Sequence, residues 1–147
     1  MTLYQEYAEK PRDFLALTGY TRAEFDALLP HFEQHYLTWM ATHRLDGQPR
    51  GNRSYCSYKN SPFPTTADKL FFILSYLKTN NLQNVHAAFF GISQPKANLW
   101  IHCLHPLLNQ TLRTLGELPA RDRAEIAWDD KPEGALYFHD GTERPIP

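Results

Sequence analysis

Residues 65–116 read TTADKLFFILSYLKTNNLQNVHAAFFGISQPKANLWIHCLHPLLNQTLRTLG, and their periodicity decides the fold. Thr65 or Thr66 can cap a helix whose apolar run is Leu70 to Leu77, and the Asn80-Asn81 pair ends it. A second, short helix is expected over Leu82–Phe90, with Val85, Ala88 and Phe89 turned inward. Gly91 supplies a turn, Ile92 is expected to face the core, and Ser93 can cap a third helix. Pro95 falls in that helix's first turn, where its missing N–H costs nothing. From there Ala97, Trp100 or Ile101, Leu104, Leu107 or Leu108 and Leu115 recur at three- and four-residue steps. Pro106 is expected to kink or end the helix near its third turn.

A short helix, a glycine turn and a capped longer helix have the layout of a helix-turn-helix, in which the third helix enters the major groove by its first turns. Gln94, Lys96, Asn98 and His102 then lie off the apolar stripe. Gln and Asn can pair with adenine edges, and Lys can reach guanine or phosphate. An ordinary three-helix bundle with a polar outer face has the same pattern. Charge favours DNA: residues 67–116 carry four Lys/Arg against a single acid, Asp68.

That imbalance is part of a longer one hidden in the net charge of −1. Residues 1–40 sum to −3, residues 41–66 to +3, residues 67–116 to +3, and residues 117–147 to −4. A basic centre between acidic ends suits a polyanionic partner, although scattered solvated charges would give the same count. With 42% hydrophobic and 14% aromatic residues, the 147-residue chain can build a real core. No apolar stretch reaches the roughly 20 residues of a membrane span, and the N-terminus MTLYQEYAEKPRDF carries charge where a signal peptide needs apolar residues. A soluble cytoplasmic protein with no membrane partner is expected. Cys56 and Cys103 lack any zinc-ligand spacing and read as reduced thiols.

Upstream, residues 1–44 form a helical region. Leu3–Leu17 give two short helices interrupted by Pro11, and Thr21-Arg-Ala-Glu24 is a capping box leading into Phe25, Leu28, Leu29, Phe32 and Tyr36. His31 and His35 sit one turn apart without a third ligand at a recognisable spacing, so a polar helix face is expected there. Residues 45–64, LDGQPRGNRSYCSYKNSPFP, contain too much Gly and Pro for long regular structure. Arg50, Arg53 and Lys59 interleave with Tyr55 and Tyr58, which fits either a basic arm tracking a DNA backbone or a solvated linker. Beyond Gly116, residues 117–134 read as an acidic connector. ALYFHD, residues 135–140, reads as one buried strand ahead of Gly141.

This order, ending on FHDGTERPI (138–146), resembles bacterial insertion-sequence transposases of the DDE type, and among them the insertion-sequence-five group. The motif D-G-T-E-x-P-I is the specific part; the helix-turn-helix portion is a weaker signal. The resemblance implies a mainly α protein with a helix-turn-helix-like DNA-binding unit, followed by the first β-strand of a ribonuclease-H-like domain. It implies that Asp140 is the first of three acidic residues holding two divalent metals, Mg²⁺ or Mn²⁺, in a complete enzyme. The other two acids would lie beyond Pro147, since Asp129, Asp130, Glu133 and Glu143 are not in matching positions. The polypeptide alone is therefore expected neither to cleave nor to join DNA and to need no cofactor. The implied partners are double-stranded DNA at terminal inverted repeats, and full-length transposase or the product of a downstream reading frame. The implied place in the cell is the bacterial nucleoid. A DNA-binding regulator, and a remnant acting only as a helical interaction domain, remain as alternatives.

Overall fold

The computed structural model describes residues 1–58 and 60–116. Six helices lie among them: α1 (Leu3–Ala8), α2 (Pro11–Thr18), α3 (Arg22–Thr42), α4 (Thr66–Thr79), α5 (Gln83–Phe90) and α6 (Gln94–Thr114). Among the described residues there is no β-strand, only an isolated bridge between His43 and Pro49. The connector, the strand expected over residues 135–140, and Asp140 itself lie outside the described residues.

The helix starts follow local chemistry. Thr21 and Glu24 close a reciprocal capping box on α3, and Thr65 and Asp68 do the same on α4, where Thr65 Oγ1 donates to Asp68 Oδ2 at 2.6 Å. Pro11 is the first residue of α2, a position with no hydrogen bond to lose. Asn80, in left-handed conformation (φ 53°), ends α4.

The centre of the bundle is α4. Its residues Ala67 to Ser75 are buried without a break, so this helix has no solvent face until Leu77, which is 40% exposed. Helices α1, α2, α3 and α6 all pack against it. The rings of Phe14, Phe25 and Phe71 meet beside it, with Phe14 edge-on to Phe25 at 5.2 Å. Helices α1 to α3 thus share one hydrophobic core with α4 to α6.

Two sequence expectations, on α5 and on Leu115, need correction, and of the two outcomes expected at Pro106 the helix end does not occur. In α5 the inward residues are His86 and Ala87, with Phe90 half-buried, whereas Val85, Ala88 and Phe89 are exposed. The apolar run VHAAFF offers a nonpolar residue at nearly every angle, so pattern alone cannot phase an eight-residue helix. His86 can turn inward because its Nε2–H donates to the Phe72 carbonyl at 3.0 Å. In α6, Pro106 does not end the helix, which continues to Thr114. Proline removes one bond to the carbonyl four residues back, and the burial of Leu107, Leu108 and Thr111 beyond it offsets that loss. Leu115 lies past the helix end and is 38% exposed, so it is not part of the stripe.

The described residues of 45–64 carry no helix or strand, as their Gly and Pro content predicts, yet the segment is fastened at three points. The backbone N–H of Arg50 bonds the Thr42 carbonyl, Tyr55 and Tyr36 hydroxyls meet at 3.2 Å, and Phe63 is 2% exposed. Phe63 packs between Phe72 (4.7 Å) and Trp100 (5.2 Å), which makes it a core residue.

Candidate nucleic-acid interface

The turn between α5 and α6 is built by the backbone. Gly91 sits at φ 69°, where a Cβ is strained, and its N–H bonds the Ala88 carbonyl while the Ile92 N–H bonds that of Ala87. These two bonds form a Schellman close, and half-buried Ile92 packs against the core behind it. Ser93 then caps α6 by accepting from the Lys96 N–H at 3.4 Å, and Pro95 occupies the first turn. The core stripe of α6 is Ala97, Trp100, Ile101, Leu104, Leu107 and Leu108, all buried.

Gln94, Lys96 and His102 are exposed and Asn98 is half-buried. Gln94, Asn98 and His102 follow one another at four-residue steps and so share a face. Lys96 is two positions from Gln94, roughly 200° around the helix, so it stands across the axis from that face. The amides on the face are held from α5. Gln83 Oε1 accepts from Gln94 Nε2 at 2.9 Å and from Asn98 Nδ2 at 3.0 Å. Each amide keeps one N–H and its carbonyl oxygen, the pair needed against an adenine edge. Gln83 was not legible as a site residue, because the contact joins positions 11 and 15 apart through the turn geometry.

The electrostatics single out the same two helices. The first turns of α1, α2, α3 and α4 carry Glu6, Asp13, Glu24 and Asp68, while those of α5 and α6 carry no acid. Their N-terminal partial positive charges are therefore not neutralised, and α6 adds Lys96. In residues 67–116 the single acid, Asp68, is buried in its cap, so the exposed charges Lys78, Lys96 and Arg113 are all positive.

The basic residues of the arm divide. Arg50 is committed to the end of α3: its Nε donates to the Met40 carbonyl at 2.6 Å and its terminal nitrogen to the His43 carbonyl at 2.8 Å. Helix ends leave such carbonyls without partners, and Arg50 satisfies two of them, which corrects its reading as part of a free arm. Arg53 is exposed, and Lys59 lies outside the described residues. His31 is exposed and His35 half-buried, and among the described residues no group of three His, Cys, Asp or Glu is placed to hold a metal. Cys56 is free and exposed, Cys103 free and buried. No helix among the described residues is long and apolar enough to cross a membrane.

Searches among curated proteins and among solved structures return no match. A scan of family models matches residues 65–114, the α4–α5–α6 unit, to the helix-turn-helix of DDE superfamily endonuclease. This match supports a DNA-binding region of the kind found at the N-terminus of DDE transposases, carried here by α4 to α6.

Proposed function

We propose that this chain recognises the ends of a mobile DNA element, with the first turns of α6 in the major groove. The observation that carries the reading is the face of Gln94 and Asn98, fixed by Gln83 at the un-neutralised N-terminus of α6. Gln94 and Asn98 read base edges, with His102 one turn further along. Lys96, across the helix axis, meets a phosphate and sets strength rather than sequence. Arg53 and Lys59 add backbone contacts. The likeness of FHDGTERPI to transposases of the insertion-sequence-five group supports terminal inverted repeats as the target. It equally supports full-length transposase, or a polypeptide from a neighbouring reading frame, as the protein partner. Asp140 keeps the metal-binding carboxylate role that its motif implies for a complete enzyme, with Mg²⁺ or Mn²⁺, and DNA binding does not depend on it.

The test is a mobility shift across a salt series on duplexes carrying the element's inverted repeat or a scrambled copy. Lys96→Ala should weaken binding to both duplexes and lower the slope of log K against log salt by about 0.9. Asn98→Ala should weaken binding to the repeat by about 1–3 kcal/mol and leave the scrambled duplex unaffected. Equal affinity of the unaltered chain for the two duplexes would sink the end-recognition reading.

A further inference from the structure

A cavity of about 230 Å³ lies between α3, α4, α6 and residues 44–58 with Ser61, away from the amide face of α6. Its α6 contribution is Trp100, two positions after Asn98 and so roughly 200° around the helix from it. Tyr36, Met40, Lys69 and Trp100, all at most 8% exposed, form its floor. Arg50 and Tyr55 also line it, and exposed Cys56 and Tyr58 stand at its solvent side.

Two cations face this space without an ion pair, although Asp68 and Glu33 act on Lys69 from beyond ion-pair distance. Lys69 is 3% exposed, and its ammonium donates to the Phe63 carbonyl at 2.9 Å and lies 5.1 Å from the Tyr36 ring and 5.8 Å from that of Trp100. The neighbouring Asp68 gives its Oδ2 to the Thr65 cap, and its buried Oδ1 has no hydrogen-bond partner among the described residues. Arg50 is held by the two α3 carbonyls and stacks 5.4 Å from the Tyr55 ring. Among the described residues neither cation forms an ion pair. A buried charge held by carbonyls and ring faces, with no ion pair, keeps part of its desolvation cost until an anion reaches it. Arg50 has three further N–H groups once its two bonds are counted. An apolar cavity of about 150 Å³ admits benzene, so the space here takes an aromatic ring with a carboxylate attached.

We infer that this cavity binds a small aromatic carboxylate, its ring on the Tyr36–Trp100 floor and its carboxylate between Arg50 and Lys69. The ligand ties residues 44–58 to α3, α4 and α6 and makes the chain responsive to a metabolite of this class. The site stands independently of the DNA reading.

Benzoate and its neutral isostere benzamide are the probes, titrated into the full chain and followed by calorimetry and by alkylation of Cys56 with iodoacetamide. Cys56 is the exposed thiol, whereas burial pushes the Cys103 thiol up to about 11. Benzoate should bind about tenfold tighter than benzamide or better, and should slow Cys56 alkylation. Lys69→Met and Arg50→Gln should each bring benzoate down to the benzamide level. Equal binding of the two probes, no binding of either, or unchanged alkylation overturns the assignment, and this comparison needs no variant to fold. Displacement of bound benzoate by duplex DNA also overturns it, because the cations would then serve the DNA backbone.

Discussion

The contact between Gln83 and the α6 amides makes a prediction that separates a positioned recognition face from a merely polar one. Gln83→Ala removes the acceptor shared by Gln94 Nε2 and Asn98 Nδ2 and touches no other described side chain through a hydrogen bond. Both bonds are neutral and partly solvated, so stability should fall by no more than about 1 kcal/mol. The larger effect is expected in binding. The two freed amides must be ordered again on the DNA, at about 0.5–1.5 kcal/mol for each side chain, which together is roughly a five- to 150-fold loss on the cognate duplex. Neither residue is charged, so the salt slope should not change, in contrast with Lys96→Ala. A double-mutant cycle isolates the coupling. If Gln83 acts by holding Asn98, Gln83→Ala should cost clearly less in an Asn98→Ala background than in the unaltered chain. The assay is a fluorescence-anisotropy titration of the four proteins on one duplex at fixed salt, repeated at a second salt concentration. Strict additivity of the two substitutions would refute the positioning argument, even if each alone weakened binding.

Phe63→Ala should cost about 3–5 kcal/mol in urea unfolding followed by circular dichroism, because the ring is 2% exposed between Phe72 and Trp100; a loss below about 1 kcal/mol would return residues 45–64 to a detached linker. Burial lowers the His86 pKa below its ordinary 6.5, with the Phe72 carbonyl opposing that shift, and Nδ1 has no acceptor for a second proton. The unfolded chain then binds that proton before the folded one, so stability should be complete above about pH 6.5 and fall below it by up to about 1.4 kcal/mol per pH unit. Unfolding titrations at stepped pH should show a shallower fall in His86→Gln, and an unchanged slope would mean that His86 titrates freely in the fold.

The parts of the fold that could be read from the residues were those set by local chemistry. Thr21 with Glu24, Ser93 before Gln94-Pro95, and Gly91 between two apolar helices each fix a backbone state within four residues, and each was found where the sequence places it. What failed to be legible depended on packing across the chain. The face of α5 is chosen by a carbonyl on α4 that accepts from His86, and no periodicity within VHAAFF encodes that choice. Arg50 looked like a free basic residue because its acceptors are the last carbonyls of α3, which a one-dimensional reading counts as satisfied. Lys69 looked like part of the basic balance and is instead buried against Tyr36 and Trp100.

These corrections change which charges are available to a polyanion. Of the basic residues in 41–116, Arg50 and Lys69 are bound to carbonyls, and Arg44 pairs with Asp46 at 3.1 Å. Among the described residues, the exposed basic side chains without such a partner are Arg53, Lys78, Lys96 and Arg113, of which Lys96 stands in the first turn of α6, and Lys59 lies outside them. Counterion release scales with phosphates neutralised, so a site resting on few lysines and arginines binds DNA with a shallow salt slope and a modest non-specific affinity. Discrimination between sequences then has to come from neutral contacts at the base edges. In the proposed reading that requirement falls on Gln94 and Asn98, whose amides are the side chains that Gln83 of α5 holds in place.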